Sequence, residues 1–235
     1  MEDQKPQTEE TLPDAETPQS SEPEQEDEQP LTLKGAFFDL LDLIEAAVTT
    51  FFVFMLLFTY VLKPVTVDGS SMVPTLYDKD SLLMLTLCPE PKTGRIVVID
   101  DQRSGYFTDT AQTQVAERDG YGSILVKRVI ATGGQEINID FRQGYGTVAV
   151  DGVQLPEDYI ADLTTRDDGA FRYPFTVPEG YLFVMGDNRL HSTDSRNALI
   201  GLIPEEQVLG SVVLRYNRED TRISKWTDQF AWLWR

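Results

Sequence analysis

Between Ala46 and Leu62 the chain runs for seventeen residues without a charge, a glycine or a proline. As a helix rising ~1.5 Å per residue, this run reaches about 25 Å, close to the ~30 Å hydrocarbon layer of a bilayer. Ala36, Phe37, Phe38, Leu40, Leu41, Leu43 and Ile44 extend the apolar stretch toward the N-terminus, with Asp39, Asp42 and Glu45 at headgroup depth. At the other end Lys63 can snorkel to water, and Pro64 is expected to stop the helix. The reading is one uncleaved membrane anchor over residues 35–63. A buried core helix is the competing reading. A cleaved secretory signal fits less well, because the preceding region is long and acidic and no small-x-small site follows Leu62.

That preceding region, residues 1–34, carries eleven acidic side chains against Lys5 and Lys34, a net of -9 out of -19 for the whole chain. Five prolines and almost no large apolar side chain before Leu31 leave too little surface to bury, so the segment is read as a disordered acidic tail. The acidic balance argues against nucleic acid as a partner. A single cysteine, Cys88, excludes an intramolecular disulfide framework, and a single histidine, His191, argues against both a histidine-based zinc site and an ordinary histidine triad. No metal or cofactor is expected, and a catalyst here needs a base other than imidazole unless His191 alone carries that burden.

From Val65 onward, short β-prone runs alternate with turn residues, which predicts a mainly β domain over residues 64–216. Expected strands are 65–67, 82–87, 95–99, 125–131, 136–141, 147–150, 153–155, 181–185 and 210–216. Asp151-Gly152 is a two-residue hairpin signal. The polar stretches 101–123 and 157–174 read as surface insertions, and residues 136–175 as a short cap. Residues 217–235 form a C-terminal tail bearing Trp226, Phe230, Trp232 and Trp234.

Three clusters could carry chemistry. Asp68-Gly69-Ser70-Ser71-Met72-Val73-Pro74-Thr75-Leu76 places hydroxyls in a glycine-containing bend directly after a strand, where a serine Oγ can project beside a backbone N–H. Val126-Lys127-Arg128-Val129 puts a lysine in an apolar β run, where alternation aims it to the side of Leu125 and Val129. Burial there disfavours the ammonium, as a lysine base at neutral pH requires. The third cluster runs from Gly186-Asp187-Asn188-Arg189 through His191, Ser192, Asp194, Ser195 and Arg196. Each alone also reads as a turn, a snorkelling lysine or a hydrogen-bonded loop.

Taken in order behind an anchor, the clusters resemble the three boxes of bacterial type I signal peptidases, membrane-anchored serine endopeptidases that remove signal peptides from exported proteins. The resemblance runs from the anchor to about Tyr216. It implies Ser71 as nucleophile, Lys127 as general base, and Ser192 as the hydroxyl that orients the lysine amine. It further implies Asp194 and Arg196 as a supporting ion pair and Asp187 with Asn188 as the floor of the site. The Ser71 N–H would be one oxyanion donor. Gly69 stands where some members place a second donor hydroxyl, and Gln135 follows Gly133-Gly134 where others carry an acid.

Val65, Val67, Met72, Leu76, Leu125 and Val126 match positions lining shallow apolar subsites, which implies small-x-small cleavage sites. The implied fold is a membrane-anchored, β-rich catalytic domain on the extracytoplasmic side of a single-pass cell-membrane protein. Implied partners are signal-peptide-bearing preproteins and membrane lipid, with proximity to the secretion translocon. Two other readings stay open here: a self-cleaving repressor-type Ser-Lys protease, which would need an N-terminal DNA-binding module, and a non-enzymatic anchored β adaptor.

Overall fold

A computed structural model describes residues 33–87 and 91–216. The tail reading for residues 1–32 and the aromatic tail at 217–235 lie outside the described residues. The chain divides into two units within its first helix, residues 1–48 and 49–235. Helix α1 (Leu33–Leu56) is followed by a π-helical turn, Leu57–Val61. Lys34–Val61, 28 residues, is long and apolar enough to cross a membrane, and the large side chains along it, such as Phe51 and Val53, are exposed.

Pro64 does not end this helix. The backbone is already extended at Leu62 (φ -115°, ψ 115°), and Lys63 and Pro64 belong to strand β1 (Leu62–Thr66). Pro64 has no N–H to give Tyr60 O in a further helical turn, and the freed carbonyls are met from the sheet: Thr86, just beyond β2 (Ser81–Leu85), donates its N–H to Val61 O at 2.8 Å and its hydroxyl to Tyr60 O at 2.5 Å. β1 is the outermost strand of its sheet, the place where a residue lacking an N–H removes no ladder bond.

The domain contains two antiparallel sheets. The larger adds β3 (Ile96–Phe107), β4 (Val115–Thr132), β9 (Tyr181–Met185), β10 (Ile203–Pro204) and β11 (Val208–Tyr216) in the order β1-β2-β11-β3-β4-β9-β10. The smaller is β7-β6-β5-β8, from β5 (Glu136–Asp140), β6 (Thr147–Val150), β7 (Val153–Gln154) and β8 (Phe175–Thr176). Asp151 and Gly152 both take positive φ, 49° and 74°, the backbone of the tight turn joining β6 to β7.

Residues 101–123 are not a loop insertion. β3 and β4 run on through them as a long ribbon, interrupted by a bulge between Asp101 and Arg103 where Gln207 Oε1 accepts both exposed N–H groups, from Gln102 (2.8 Å) and Arg103 (2.6 Å). Its base is interior: Asp101 and Ser104 are fully buried. Nor is 157–174 only surface. Phe171 joins Phe175, Ile137, Ile139 and Val148 of the smaller sheet to Ile130, Ala131, Phe183 and Met185 of the larger in one apolar cluster. Phe171 and Phe175 stack with centroids 4.7 Å apart. Burying such side chains contributes roughly 1.5–3 kcal/mol each, so the stretch anticipated as a cap is held to the larger sheet by a shared core. β8 and β10, two residues each, are too short to leave a period in the sequence.

Candidate active site

The bend after β1 presents Ser71. Gly69 has φ +100°, a conformation an L side chain avoids, and turns the chain out of the strand. Its N–H donates to Asp78 Oδ1 at 2.8 Å. One tight turn follows, with Val73 N–H on Ser70 O (3.2 Å) and Leu76 N–H on Met72 O (2.8 Å). The buried side chains of Met72 and Leu76 fix this turn in a cluster with Val67, Leu82, Met84 and Val98, leaving Ser71 half-buried between core and surface.

Lys127 sits on β4 opposite Val97, two residues from Leu125 opposite Ile99; these apolar neighbours and Val129 form another cluster. Its Nζ donates to Ser71 Oγ at 3.0 Å and to Val126 O at 3.3 Å. The side chain is 3% exposed. Burial holds the ammonium well below the usual lysine range, with Asp194 pulling the other way and Arg196 adding to the depression. An uncharged amine with a hydroxyl in reach is the arrangement nucleophilic hydrolysis uses.

The loop after β9 closes over both groups. Gly186 has no room for a Cβ, which would collide with Ser71 O and the Ser192 side chain. Asn188 donates its N–H to Ser71 O (3.0 Å) and its Nδ2 to Ser70 O (3.1 Å), fastening the nucleophile turn from behind. Asp187, fully buried, takes a bidentate contact from Arg128 (Nε 2.8 Å, NH2 2.6 Å) and the Thr75 hydroxyl at 2.5 Å. Asp194 takes two bonds from Arg196 at 2.8 Å each and the Gly186 N–H at 3.0 Å. Burial works to raise the Asp194 pKa, but Arg196, the Gly186 N–H and nearby Ser192 outweigh it and leave the carboxyl below its ordinary value. Ser192 Oγ is buried and, among the described residues, meets no partner at full hydrogen-bond geometry, Lys127 included.

The structure therefore brings Ser71, Lys127, Asp187, Asn188, Ser192, Asp194 and Arg196 to one place. Among the expected subsite residues, Val67, Met72 and Leu76 are core and have no surface to offer a peptide. Val65, Leu125 and Val126 are partly exposed. The N–H of Gly69, where the second oxyanion donor is expected, donates to Asp78 Oδ1. His191 is exposed. Gln135 accepts from Thr132 N–H (3.0 Å) and the Thr93 hydroxyl (2.8 Å), closing the β4–β5 turn.

Several participants escaped sequence reasoning. Arg128 and Thr75 sat inside quoted boxes without a role, and both hold Asp187. Arg189 is fully buried and bonds Glu157 (2.5 Å), Thr164 (2.8 Å) and Gly186 O (3.1 Å), while Tyr159 lies under the Arg128 guanidinium at 4.0 Å. Nothing local marks Glu157 or Tyr159, because their partners are about thirty residues away in sequence. A separate cleft of about 440 Å³ lies between the β3–β4 ribbon and residues 169–172, away from Ser71 and Lys127. Among the described residues no group of three or more His, Cys, Asp or Glu could hold a metal ion.

A β-rich domain that sets a serine hydroxyl against a buried amine has the groups of a serine hydrolase. The family model described as signal peptidase, peptidase S26, matches residues 40–217. A signal peptidase I of Bacillus amyloliquefaciens is 33% identical over 162 residues, 65% of this chain and 72% of the relative. A probable signal peptidase I-1 of Synechocystis is 33% identical over 165 residues, 69% of this chain and 74% of the relative. A crystal structure of a signal peptidase I from Enterococcus faecalis V583 superposes with TM-score 0.35 at 25% identity, covering 53% of this chain and 98% of that one. The chain belongs to the signal peptidase family, peptidase S26, and is a serine endopeptidase that removes signal peptides from preproteins.

Proposed function

We propose that this chain is a membrane-anchored signal peptidase I that cuts by a Ser71–Lys127 dyad. The observation carrying the proposal is the 3.0 Å contact between Lys127 Nζ and Ser71 Oγ in a setting where burial favours the neutral amine. Ser71 Oγ attacks the scissile carbonyl carbon while Lys127 takes its proton, and the oxyanion forms beside the Ser71 N–H. Collapse breaks the C–N bond, with the proton passing from Lys127 to the leaving amine. A water then attacks the acyl-enzyme, again giving its proton to Lys127, and Ser71 is regenerated. Arg cannot replace this base, being charged at any working pH. Ser192 and Asp194 bound the space around the amine, and Asn188 and Asp187 hold the nucleophile turn.

The substrate is read as an extended peptide pairing along β1 and β4. The partly exposed Val65, Leu125 and Val126 leave shallow apolar room there, which suits small-x-small sites. The helix Lys34–Val61 is read as a single membrane anchor with the acidic tail, residues 1–34, in the cytoplasm. The catalytic domain then lies outside, against lipid and near the translocon.

Full-length protein in phospholipid vesicles, given a preprotein with a small-x-small site, tests the mechanism. Ser71→Ala and Lys127→Ala should each abolish cleavage and His191→Ala should keep most of it. Turnover should rise from weakly acidic toward alkaline pH as Lys127 loses its proton. A folded Ser71→Ala or Lys127→Ala protein that still cleaves refutes the dyad. Protease shaving of intact protoplasts should remove the domain and spare the tail.

A further inference from the structure

Arg215 lies near the end of β11, outside all three sequence clusters. β11 and β2 are out of step by one residue: Val212 pairs with Met84 but Leu214 with Leu83, which leaves Val213 as a bulge and sets Arg215 opposite Leu82. Leu82, Met84 and Val212 belong to the apolar cluster that holds Met72 and Leu76. Without the extra residue, alternation would send Arg215 to the other side of the sheet; with it, the side chain emerges toward the turn that carries Ser71.

There the guanidinium makes three contacts. NH1 donates to Thr75 O at 2.9 Å, Nε lies 2.6 Å from Asp80 Oδ2 as an ion pair without hydrogen-bond alignment, and the group sits over the Tyr77 ring at 5.3 Å. Asp80 is 2% exposed, and its Oδ2 also accepts the Tyr77 N–H at 2.7 Å. Thr75 is thus gripped twice. Its carbonyl is held by Arg215, while its hydroxyl donates at 2.5 Å to Asp187, itself held by Arg128. The segment between Ser71 and Tyr77 hangs between two guanidiniums, Arg128 of β4 and Arg215 of β11.

We propose that Arg215 is a positioning residue for the nucleophile, holding the 71–77 turn so that Ser71 Oγ stays in line with Lys127. It touches no reacting atom and acts through Thr75 O and Asp80. The proposal rests on the reading of Ser71 as nucleophile. Arginine suits the place because its broad planar cation can bond Thr75 O through NH1 while its charge lies against Asp80, whereas the compact lysine ammonium keeps the charge and only part of that reach.

The test compares Arg215→Met, Arg215→Lys and Arg215→Gln in the full-length, vesicle-bound enzyme on a fluorogenic signal-peptide substrate. Circular dichroism and thermal melts establish that each is folded at the assay temperature. Misplacing a reacting group by about 1 Å costs on the order of 100-fold, so Arg215→Met should lose roughly 10- to 100-fold in kcat. KM should stay within about twofold. The midpoint of the acid limb of the rate profile should not move, since the base is unaltered. Arg215→Lys should recover part of the rate. A folded Arg215→Met enzyme with wild-type kcat, or a loss confined to KM, overturns the proposal. If the Met variant does not fold, the same kcat-selective loss in the Lys and Gln variants carries the test. Ser71→Ala in the same assay keeps the two readings apart: cleavage by that variant removes the nucleophile assignment, whereas its inactivity beside unimpaired Arg215 variants removes only the positioning role.

Discussion

Lys127 and Arg128 are neighbours on β4, both nearly sealed from water, and the protein treats them in opposite ways. Lys127 faces an apolar cluster, and among the described residues its amine bonds the Ser71 hydroxyl and the Val126 carbonyl and has no carboxylate within ion-pair distance. Arg128 is locked to Asp187 by two bonds, donates a third to Gly94 O, and stacks on Tyr159. A buried charge without a partner is expensive, and a lysine escapes the penalty by giving up its proton, which an arginine cannot do. The same degree of burial therefore favours a neutral amine at one residue, as the proposed base requires, and a structural tie at the other. The pleat of the strand, which sends successive side chains to opposite sides, keeps the two environments apart.

The sharpest way to break this contrast is to remove the amine. Lys127→Met should lose activity by about 10²–10⁴-fold or more, the span usual for a positioned general base. Its urea midpoint should nevertheless rise, because an apolar side chain of similar length fills the site without a group to desolvate. Lys127→Arg should be equally inactive but less stable. A Met variant that is inactive and also destabilised would mean that Lys127 is held as a charged, paired residue, contrary to the environment described here.

Next in size is the tie. Asp187→Asn leaves the Arg128 guanidinium buried against a neutral amide, and the expected loss is about 3–5 kcal/mol in denaturant unfolding. Adding Arg128→Met to that background should return much of the stability. No return would show that Asp187 matters through Thr75 and not through Arg128.

The smallest effects concern stability against pH. The Asp194 carboxyl is held below its ordinary value, so its contribution is present above the unfolded carboxylate range and is lost as pH falls through the native value. Lys127 slopes in the same direction for the opposite reason. Its native pKa is below the unfolded value near 10.5, so between the two the unfolded chain binds the extra proton and stability rises with pH. Asp194→Asn should flatten the acid limb and Lys127→Met the alkaline one, each read from urea midpoints across pH. An Asp194→Asn protein with the wild-type acid limb would place that titration elsewhere.

Local chemistry alone determined much of this protein. An uncharged run of seventeen residues allows few fates besides a membrane-length helix, and residues alternating around Asp151-Gly152 allow little besides a hairpin. The single histidine argued for a base other than imidazole, and the order of three short clusters pointed to the family. Tertiary structure decided what those signals leave undetermined. Pro64 lies in a strand paired with Leu83, and Thr86, more than twenty residues later, satisfies the carbonyls of Tyr60 and Val61 that the helix leaves open. Thr75 and Arg128 acquired a function only when Asp187 arrived between them, and Arg215 only when one extra residue in β11 reversed the direction of its side chain. Such roles belong to pairs far apart in the chain. Period and composition report on neighbours three or four residues away, whereas the burial that lowers the Lys127 pKa exists only once the strands and the loop after β9 have closed around it.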